Sequence, residues 1–338
     1  MIGWYVHNHG TGHRRRLEAV APRLGTPVTG MGSGAAAEGV PWLPLARDDT
    51  AAHPLDPSAG GALHWSPLGE PGMAARVRAV ADWAHEHRAR LLVVDVSVEM
   101  LLLGRLLGLP TATILMRGRR EDRAHALAYD TAGLLLAPWP RESHGPGPQR
   151  WLDKTVWTGA FSRYDGRPPP SRLSCRGRRC VLLVVGAGGH EITPAQVVTA
   201  MVATPQWHWH LVGDVASRAT SQVTHHGHVT DLWPLLHHVD VVAGPCGGAL
   251  VAEVAAARVP FLALPQPRPF DEQHDQARAL SQLGCAAASA TWPSPTSWPR
   301  LLDDIAATRD SAAAAWAHYS DGEGTQRAAE AIRGQMIT

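Results

Sequence analysis

Short apolar runs alternate along the chain with alanine- and arginine-rich stretches of helical spacing. "IGWYV" precedes "RRRLEAVAPRL", "RLLVVDVS" precedes "EMLLLGRLLG", "TATIL" precedes "EDRAHALAYDTA", and "GLLLAP" follows that last helix. Continuous apolar runs too short for a buried helix read as strands covered on both faces, and their alternation with helices predicts a parallel-sheet α/β architecture. After "YDGRPPPSRLSCRGRR", a proline- and arginine-rich stretch read as a linker, the pattern restarts. "CVLLVVGAGGHEITPAQVVTAM" is again strand, glycine turn and helix, and further strands are expected at "WHWHLVGD", "DVVAGP" and "VPFLALP". The reading is two doubly wound α/β domains: residues 1–163, a linker over 164–179, and a second domain over 180–310. The tail, 311–338, reads as helix, glycine break and helix, the last placed to cross back and brace the first domain.

A length of 338 residues suits two domains. The formal net charge of +1 supplies no ground for a nucleic-acid partner. Lys154 is the single lysine, whereas arginine, alanine, glycine, proline and tryptophan abound, a bias attributed to GC-rich coding rather than to function. The four cysteines, Cys175, Cys180, Cys246 and Cys285, contain no C-x-x-C, so free thiols in a reduced protein are expected. A zinc pair at Cys175 and Cys180 lacks the second close pair that such sites use. No leader pattern is read at the N-terminus, and no apolar run approaches the roughly 20 residues of a membrane helix. A cytoplasmic protein is expected, with at most peripheral contact at the inner membrane face.

Three segments carry chemistry. "GPCGGALVAEVAAARVPFLALP" sets Gly247 and Gly248 between a strand and a helix that starts near Ala249. There the backbone can approach a ligand while helix N-terminal amides point at an anion; a tight turn needing small residues is the competing reading. Glu253, one turn on, is either a solvated surface group or an acceptor for ribose hydroxyls. "PQPRPFDEQHDQARALSQLG" carries Asp271, Glu272, Gln273 and His274, a capping acidic loop or a set of oxygens for sugar hydroxyls. "HNHGTGH", residues 7 to 13, is a metal site, a phosphate cradle or a strand-to-helix turn.

Taken in order, residues 225 to 284 resemble the nucleotide-binding domain of GT-B glycosyltransferases. The likeness is to the family 28 type that contains the N-acetylglucosaminyltransferase of peptidoglycan lipid II synthesis. The order is a loop before "DL", a strand, a Gly-Gly turn, a glutamate on the next helix, a proline-flanked strand and a D-x-Q loop. The resemblance implies two Rossmann-like domains facing a cleft. It places the backbone of His228 and Val229 at the base, Gly247, Gly248 and Ala249 at the diphosphate, and Glu253 at the ribose. Asp271, Glu272 and Gln273 would face the transferred sugar, and Gly186, Gly188 and Gly189 of "VVGAGG" would form the first glycine turn. Family members carry Asn-Ala shortly after the D-x-Q loop, where this chain has Ala277 and Arg278.

The resemblance also orders the first half. Gly10 and Gly12 would shape the acceptor side, with His7 and His9 as acceptor contacts or supports behind them, and His13 would begin the first helix as base or as a contact to an acceptor phosphate, a helix-capping surface histidine being the plainer reading. Asp95 and Glu99 are the carboxylate alternatives, with a buried helix cap as the plainer reading of each. An imidazole titrating near 6.5 suits proton abstraction at neutral pH. An amidohydrolase-like H-x-H zinc site would require a barrel of eight strand–helix units, which the restart near residue 165 contradicts. Arg14–Arg16 and Arg117–Arg123 read as solvated helix faces, although in the resembled family a basic rim would serve an acceptor domain resting on anionic membrane.

The expected activity is that of an inverting, metal-independent glycosyltransferase of hexosyltransferase type, with no cofactor and no metal. The expected donor is a nucleotide-sugar, UDP-linked, and the acceptor is unassigned. A UDP-sugar 2-epimerase of the same fold and a non-catalytic nucleotide-sugar binding protein are the alternatives.

Overall fold

The computed structural model describes residues 1–8, 10–145, 147–171, 177–186, 188–215 and 221–337. The chain divides into two compact units. The first comprises Met1–Pro138, Gly145–Arg163 and Gly324–Thr338; the second comprises Trp139–His144 and Tyr164–Glu323.

In the first unit the strands are β1 (Ile2–Val6), β2 (Val28–Gly32), β3 (Trp42–Pro44), β4 (Leu91–Asp95), β5 (Thr111–Ile114), β6 (Leu134–Ala137) and β7 (Thr155–Trp157). They form one parallel sheet in the order β3-β2-β1-β4-β5-β6-β7. Helices α1 (Gly12–Val20), α2 (Pro71–Glu86), α3 (Val98–Leu106), α4 (Arg123–Thr131) and the short α5 (Gln149–Leu152) connect them. Strands β1 and β4 are buried throughout, which explains why their sequences read as unbroken apolar runs.

The second unit contains β8 (Arg179–Val184), α6 (Pro194–Ala203), β9 (Trp207–Val212), β10 (Val223–Gly227), α7 (Trp233–His238), β11 (Val241–Gly244) and α8 (Gly248–Ala257). It continues through β12 (Phe261–Ala263), α9 (Glu272–Gln282), β13 (Ala286–Ala288), α10 (Trp298–Ala307) and α11 (Arg309–Tyr319). Its parallel sheet runs β10-β9-β8-β11-β12-β13. Tryptophan replaces the usual aliphatic residues in one layer of this core: Trp207, Trp209 and Trp298 are fully buried around Val181, Leu183 and Leu262. A capping box, Thr193 with Gln196, starts α6.

The last helix, α12 (Gly324–Gly334), packs in the core of the first unit, where Ala328, Ala329 and Ile332 meet Leu17, Val20 and Leu134. Its first residue lies so close to the chain that a β-carbon on Gly324 would meet the Ala160 carbonyl oxygen at 2.3 Å. The expectation of two doubly wound parallel α/β domains is borne out. Among the described residues no helix is long and apolar enough to cross a membrane.

Two local expectations are corrected. Cys180 is disulfide-bonded, not a free thiol, and its expected companion Cys175 lies outside the described residues. Arg16 and Arg117, read as solvated, are turned inward; the Arg16 side chain is 11% exposed and Arg117 is 7% exposed.

Candidate active site

In an open parallel sheet, ligands bind beyond the carboxyl ends of the strands where the strand order reverses, because the loops on either side part there. Each unit has one such point. In the first it lies between β1 and β4, so the loop after β1, "HNHGTGH", stands beside Asp95, the last residue of β4. In the second it lies between β8 and β11, so the first glycine turn stands beside "GPCGG".

At the first point His13, in the first turn of α1, places Nδ1 3.0 Å from Asp95 Oδ1. Arg16, one turn later on the same helix face, donates from Nη1 to that oxygen at 2.8 Å. Asp95 is wholly buried. Burial would raise its carboxyl, but the Arg16 guanidinium and His13 outweigh burial and hold it below the ordinary carboxylate range. An ionised carboxylate only accepts, so the His13 ring carries a proton on Nδ1, and in its neutral form the lone pair falls on Nε2. No described residue bonds that Nε2, and the side chain is 14% exposed. The His7 ring stands 5.8 Å away, edge-on. Gly10 turns the loop with a φ of 73°; His9 lies outside the described residues.

Glu99 is engaged differently. Its Oε1 accepts from the backbone amides of His64 and Trp65 at 2.8 and 3.0 Å, and Oε2 accepts from Ser97 Oγ. The carboxylate anchors the 64–65 loop to the start of α3, whose N-cap is Ser97.

At the second point the loops carry almost no charge. Gly247 is the N-cap of α8 with φ −65° and ψ 139°, and no side chain caps that helix. The amides of its first turn, including Gly248 and Ala249, have no partner within the helix. A β-carbon added at Gly186, Gly188 or Gly247 would meet nothing within 4 Å, and none of the three has a positive φ. The fold therefore does not require glycine at these positions. Gly189 does need it, at φ 84°, and so does Gly244, whose β-carbon would lie 2.5 Å from the Val184 carbonyl oxygen.

The D-x-Q segment is tied to both turns. Asp271 adopts a left-handed conformation before α9, and Glu272 and Gln273 form the first turn of that helix. Gln273 is buried, and its Oε1 accepts from the amides of Cys246 and Gln266 at 3.1 and 2.9 Å. Gln266 Oε1 in turn accepts from Glu191 N at 2.7 Å, and Arg268 donates to the Gly188 and Gly189 carbonyls. A cavity of about 260 Å³ opens beside these groups, lined by Glu191, Gln266, His274, Thr291 and Trp292 among others. Glu253 is 3% exposed on α8, not a surface group. His228 and Val229 follow β10 in an irregular loop, His228 exposed.

The geometry thus joins His13 to Asp95 and links Gln273 with the turn that carries Gly247. Sequence reasoning missed Arg16, Gln266 and Arg268. The helical i, i+3 spacing of Arg16 from His13 was a usable signal. Nothing in the linear sequence marked Arg268, whose partners are backbone carbonyls some eighty residues away.

No family model matches the chain, and no curated protein matches it. Solved structures do. The glycotransferase of kitacinnamycin superposes with a TM-score of 0.69 at 19% identity, covering 99% of each chain. The calicheamicin glycosyltransferase CalG4 gives 0.67 at 16% identity, covering 99% of this chain and 98% of its own. MurG of Acinetobacter baumannii gives 0.65 at 14% identity, with 98% and 99% covered. Spinosyn rhamnosyltransferase SpnG complexed with thymidine diphosphate gives 0.63 at 19% identity, with 95% and 96% covered. Over nearly its whole length, the chain has the GT-B fold that these glycosyltransferases share.

Proposed function

We propose that the protein is an inverting glycosyltransferase that moves a sugar from a nucleotide diphosphate donor to an acceptor hydroxyl. The observation that carries the reading is His13 Nδ1 on buried, ionised Asp95, an arrangement that in the neutral ring turns the lone pair of Nε2 outward at the switch point of the first sheet. In this role His13 removes the acceptor proton as the oxygen attacks the anomeric carbon, and Asp95 stabilises the imidazolium that forms. The bond from that carbon to the diphosphate oxygen breaks as the new one forms, so a single displacement inverts the centre, through an oxocarbenium-like transition state.

The second unit would hold the donor. Its open glycines, Gly186, Gly188 and Gly247, admit a diphosphate to the backbone, and the α8 amides stabilise charge on the leaving phosphate without a metal. Glu253 is assigned to the ribose, and the backbone of His228 and Val229 to the base. Asp271, Glu272 and Gln273 are assigned to the sugar. UDP is the nucleotide implied by the sequence resemblance; SpnG was solved with thymidine diphosphate, so both belong in any test.

The experiment is a thermal-shift panel of UDP, TDP and GDP and their sugars, followed by incubation of the stabilising donor with and without acceptors and with a chelator. One nucleotide should raise the melting temperature, transfer should need an acceptor, and chelator should leave the rate unchanged. Failure of every nucleotide, or conversion of the donor to an epimer without acceptor, would overturn the reading.

A further inference from the structure

A second group of chemistry-bearing side chains lies in the other unit's sheet, away from the glycine turns. In β9 the run "WHWH" alternates, so Trp207 and Trp209 enter the tryptophan core while His208 and His210 share the opposite face. Parallel register sets Cys180 of β8 beside His208, and Leu182 beside His210. On the other flank β10 brings Thr224 to His208 Nε2 at 2.9 Å and His226 Nε2 to His210 Nδ1 at 3.0 Å. The end of α7 places the His238 ring 5.1 Å from that of His210. One ligand atom from each of Cys180, His210 and His238 lies within 4.8 Å of the other two. Tetrahedral zinc needs separations of about 3.3–3.8 Å, which small side-chain rotations would supply.

His210 is the informative member. It is 7% exposed, and its Nε2 has no hydrogen-bond partner among the described residues. If Nδ1 donates to His226, Nε2 presents a buried lone pair with no donor; in the other tautomer a buried N–H has no acceptor. Either way the fold leaves an orphan that costs stability, and the first tautomer is the one a metal uses, with His226 as the orienting partner. Burial, aided by His208, His226 and His238, pushes the His210 imidazole down to about 4. His208 and His226 are lowered as well, by burial first, with Arg178 also acting on His208.

We infer that Cys180, His210 and His238 form a binding site for a divalent transition metal of the zinc class, opened by reduction of the Cys180 disulfide. In the oxidised chain the Cys180 sulfur is bonded to another sulfur. A dithiol reductant converts both sulfurs to thiols and is itself oxidised to a disulfide. The Cys180 thiol then releases its proton to solvent as its sulfur bonds the metal. Neutral His210 and His238 supply two more ligands, and water completes the tetrahedron. The site sits where β8 begins and α7 ends, at the end of the sheet opposite the glycine turns. Its role is structural: it fastens the six-residue α7 to the sheet when the chain is reduced.

Cobalt(II) alone is the probe, titrated into the full-length protein reduced with a phosphine, which offers the ion no thiolate. The expected result is one ion per chain with tetrahedral d–d absorption and a thiolate-to-cobalt charge-transfer band, both absent from the oxidised protein. Cys180→Ser should remove the charge-transfer band. His238→Gln, at the half-buried edge of the site, should weaken binding at least tenfold, and it decides the matter if Cys180→Ser fails to fold. No tetrahedral spectrum in the reduced protein, equal binding in the oxidised protein, or an unchanged spectrum in His238→Gln would overturn the inference.

Discussion

The two switch points share a topology and differ in what they load onto it. The first holds three ionisable side chains in one hydrogen-bonded group, His13, Arg16 and Asp95. The second holds glycines, helix amides and a buried carboxamide, with Arg268 committed to backbone carbonyls. Proton transfer needs a titratable atom whose tautomer is fixed, and anion binding needs preorganised N–H groups with nothing in the way. In the proposed reading the same fold would serve both, because the groups concerned sit at strand ends, in the turns that follow and on the first turns of the helices.

The largest expected effect separates these roles. His13→Ala should lower the transfer rate by about 10²–10⁴, the usual range for a lost general base, while leaving nucleotide affinity within twofold. Single-turnover rates beside calorimetric binding check it. If donor affinity falls with the rate, His13 does not act in proton transfer alone and the division of labour fails.

Next in size is Asp95→Asn. Removing the carboxylate leaves the Arg16 cation buried without its anion, a loss of about 3–5 kcal/mol by analogy with other broken buried pairs. The pH dependence follows from the lowered Asp95 carboxyl. Above the unfolded value near 3.9 the carboxylate contributes its full stability, and that contribution is lost as pH falls through the still lower folded value. The wild-type advantage in urea midpoint should therefore be flat from pH 5 to 8 and shrink below about pH 4. An advantage that already shrank between pH 5 and 8 would mean that a group other than Asp95 carries the linkage.

Two glycines three positions apart sharpen the second half of the comparison. Gly244→Ala drives a β-carbon against the Val184 carbonyl and should cost about 1–3 kcal/mol of stability. Gly247→Val places its β-carbon in open space at an ordinary extended backbone and should cost no more than about 1 kcal/mol, for the poorer N-cap, while weakening nucleotide diphosphate binding at least tenfold. Unaltered binding in Gly247→Val would remove the diphosphate from this turn.

The sheets were legible because β1, β4, β8 and β11 are buried on both faces and so read as apolar runs. Others were not. Strand β2, "VTGMG", hides its burial behind two glycines, and β10, "VTHHG", is a half-exposed edge strand rich in histidine. Helix α2 went unread because its buried residues include Gly72 and Arg76, the latter held by Asp48 and Ser33 rather than by apolar packing. At the site, His13 and Asp95 are named through the family resemblance, which points to the start of the first helix and to carboxylates at a strand end. Their contact spans 82 positions, so no local spacing rule reaches it. Arg16 was disguised by its run of arginines, which has the composition of a solvated face although one member turns inward.

Glu99→Gln has the smallest expected effect and separates a carboxylate that acts from one that holds. The two oxygens of Glu99 accept from His64 N, Trp65 N and Ser97 Oγ. Glutamine keeps one carbonyl oxygen able to accept from both backbone amides, so the 64–65 loop should stay anchored and stability should change by less than about 1 kcal/mol. The transfer rate should stay within about threefold, because no proton passes through this residue. A general base changed to an amide would instead lose two or more orders of magnitude. Rate measurements on Glu99→Gln beside His13→Ala therefore rank the two candidates directly. A collapse confined to Glu99→Gln would move the base from α1 to α3 and leave the His13–Asp95–Arg16 group a structural one.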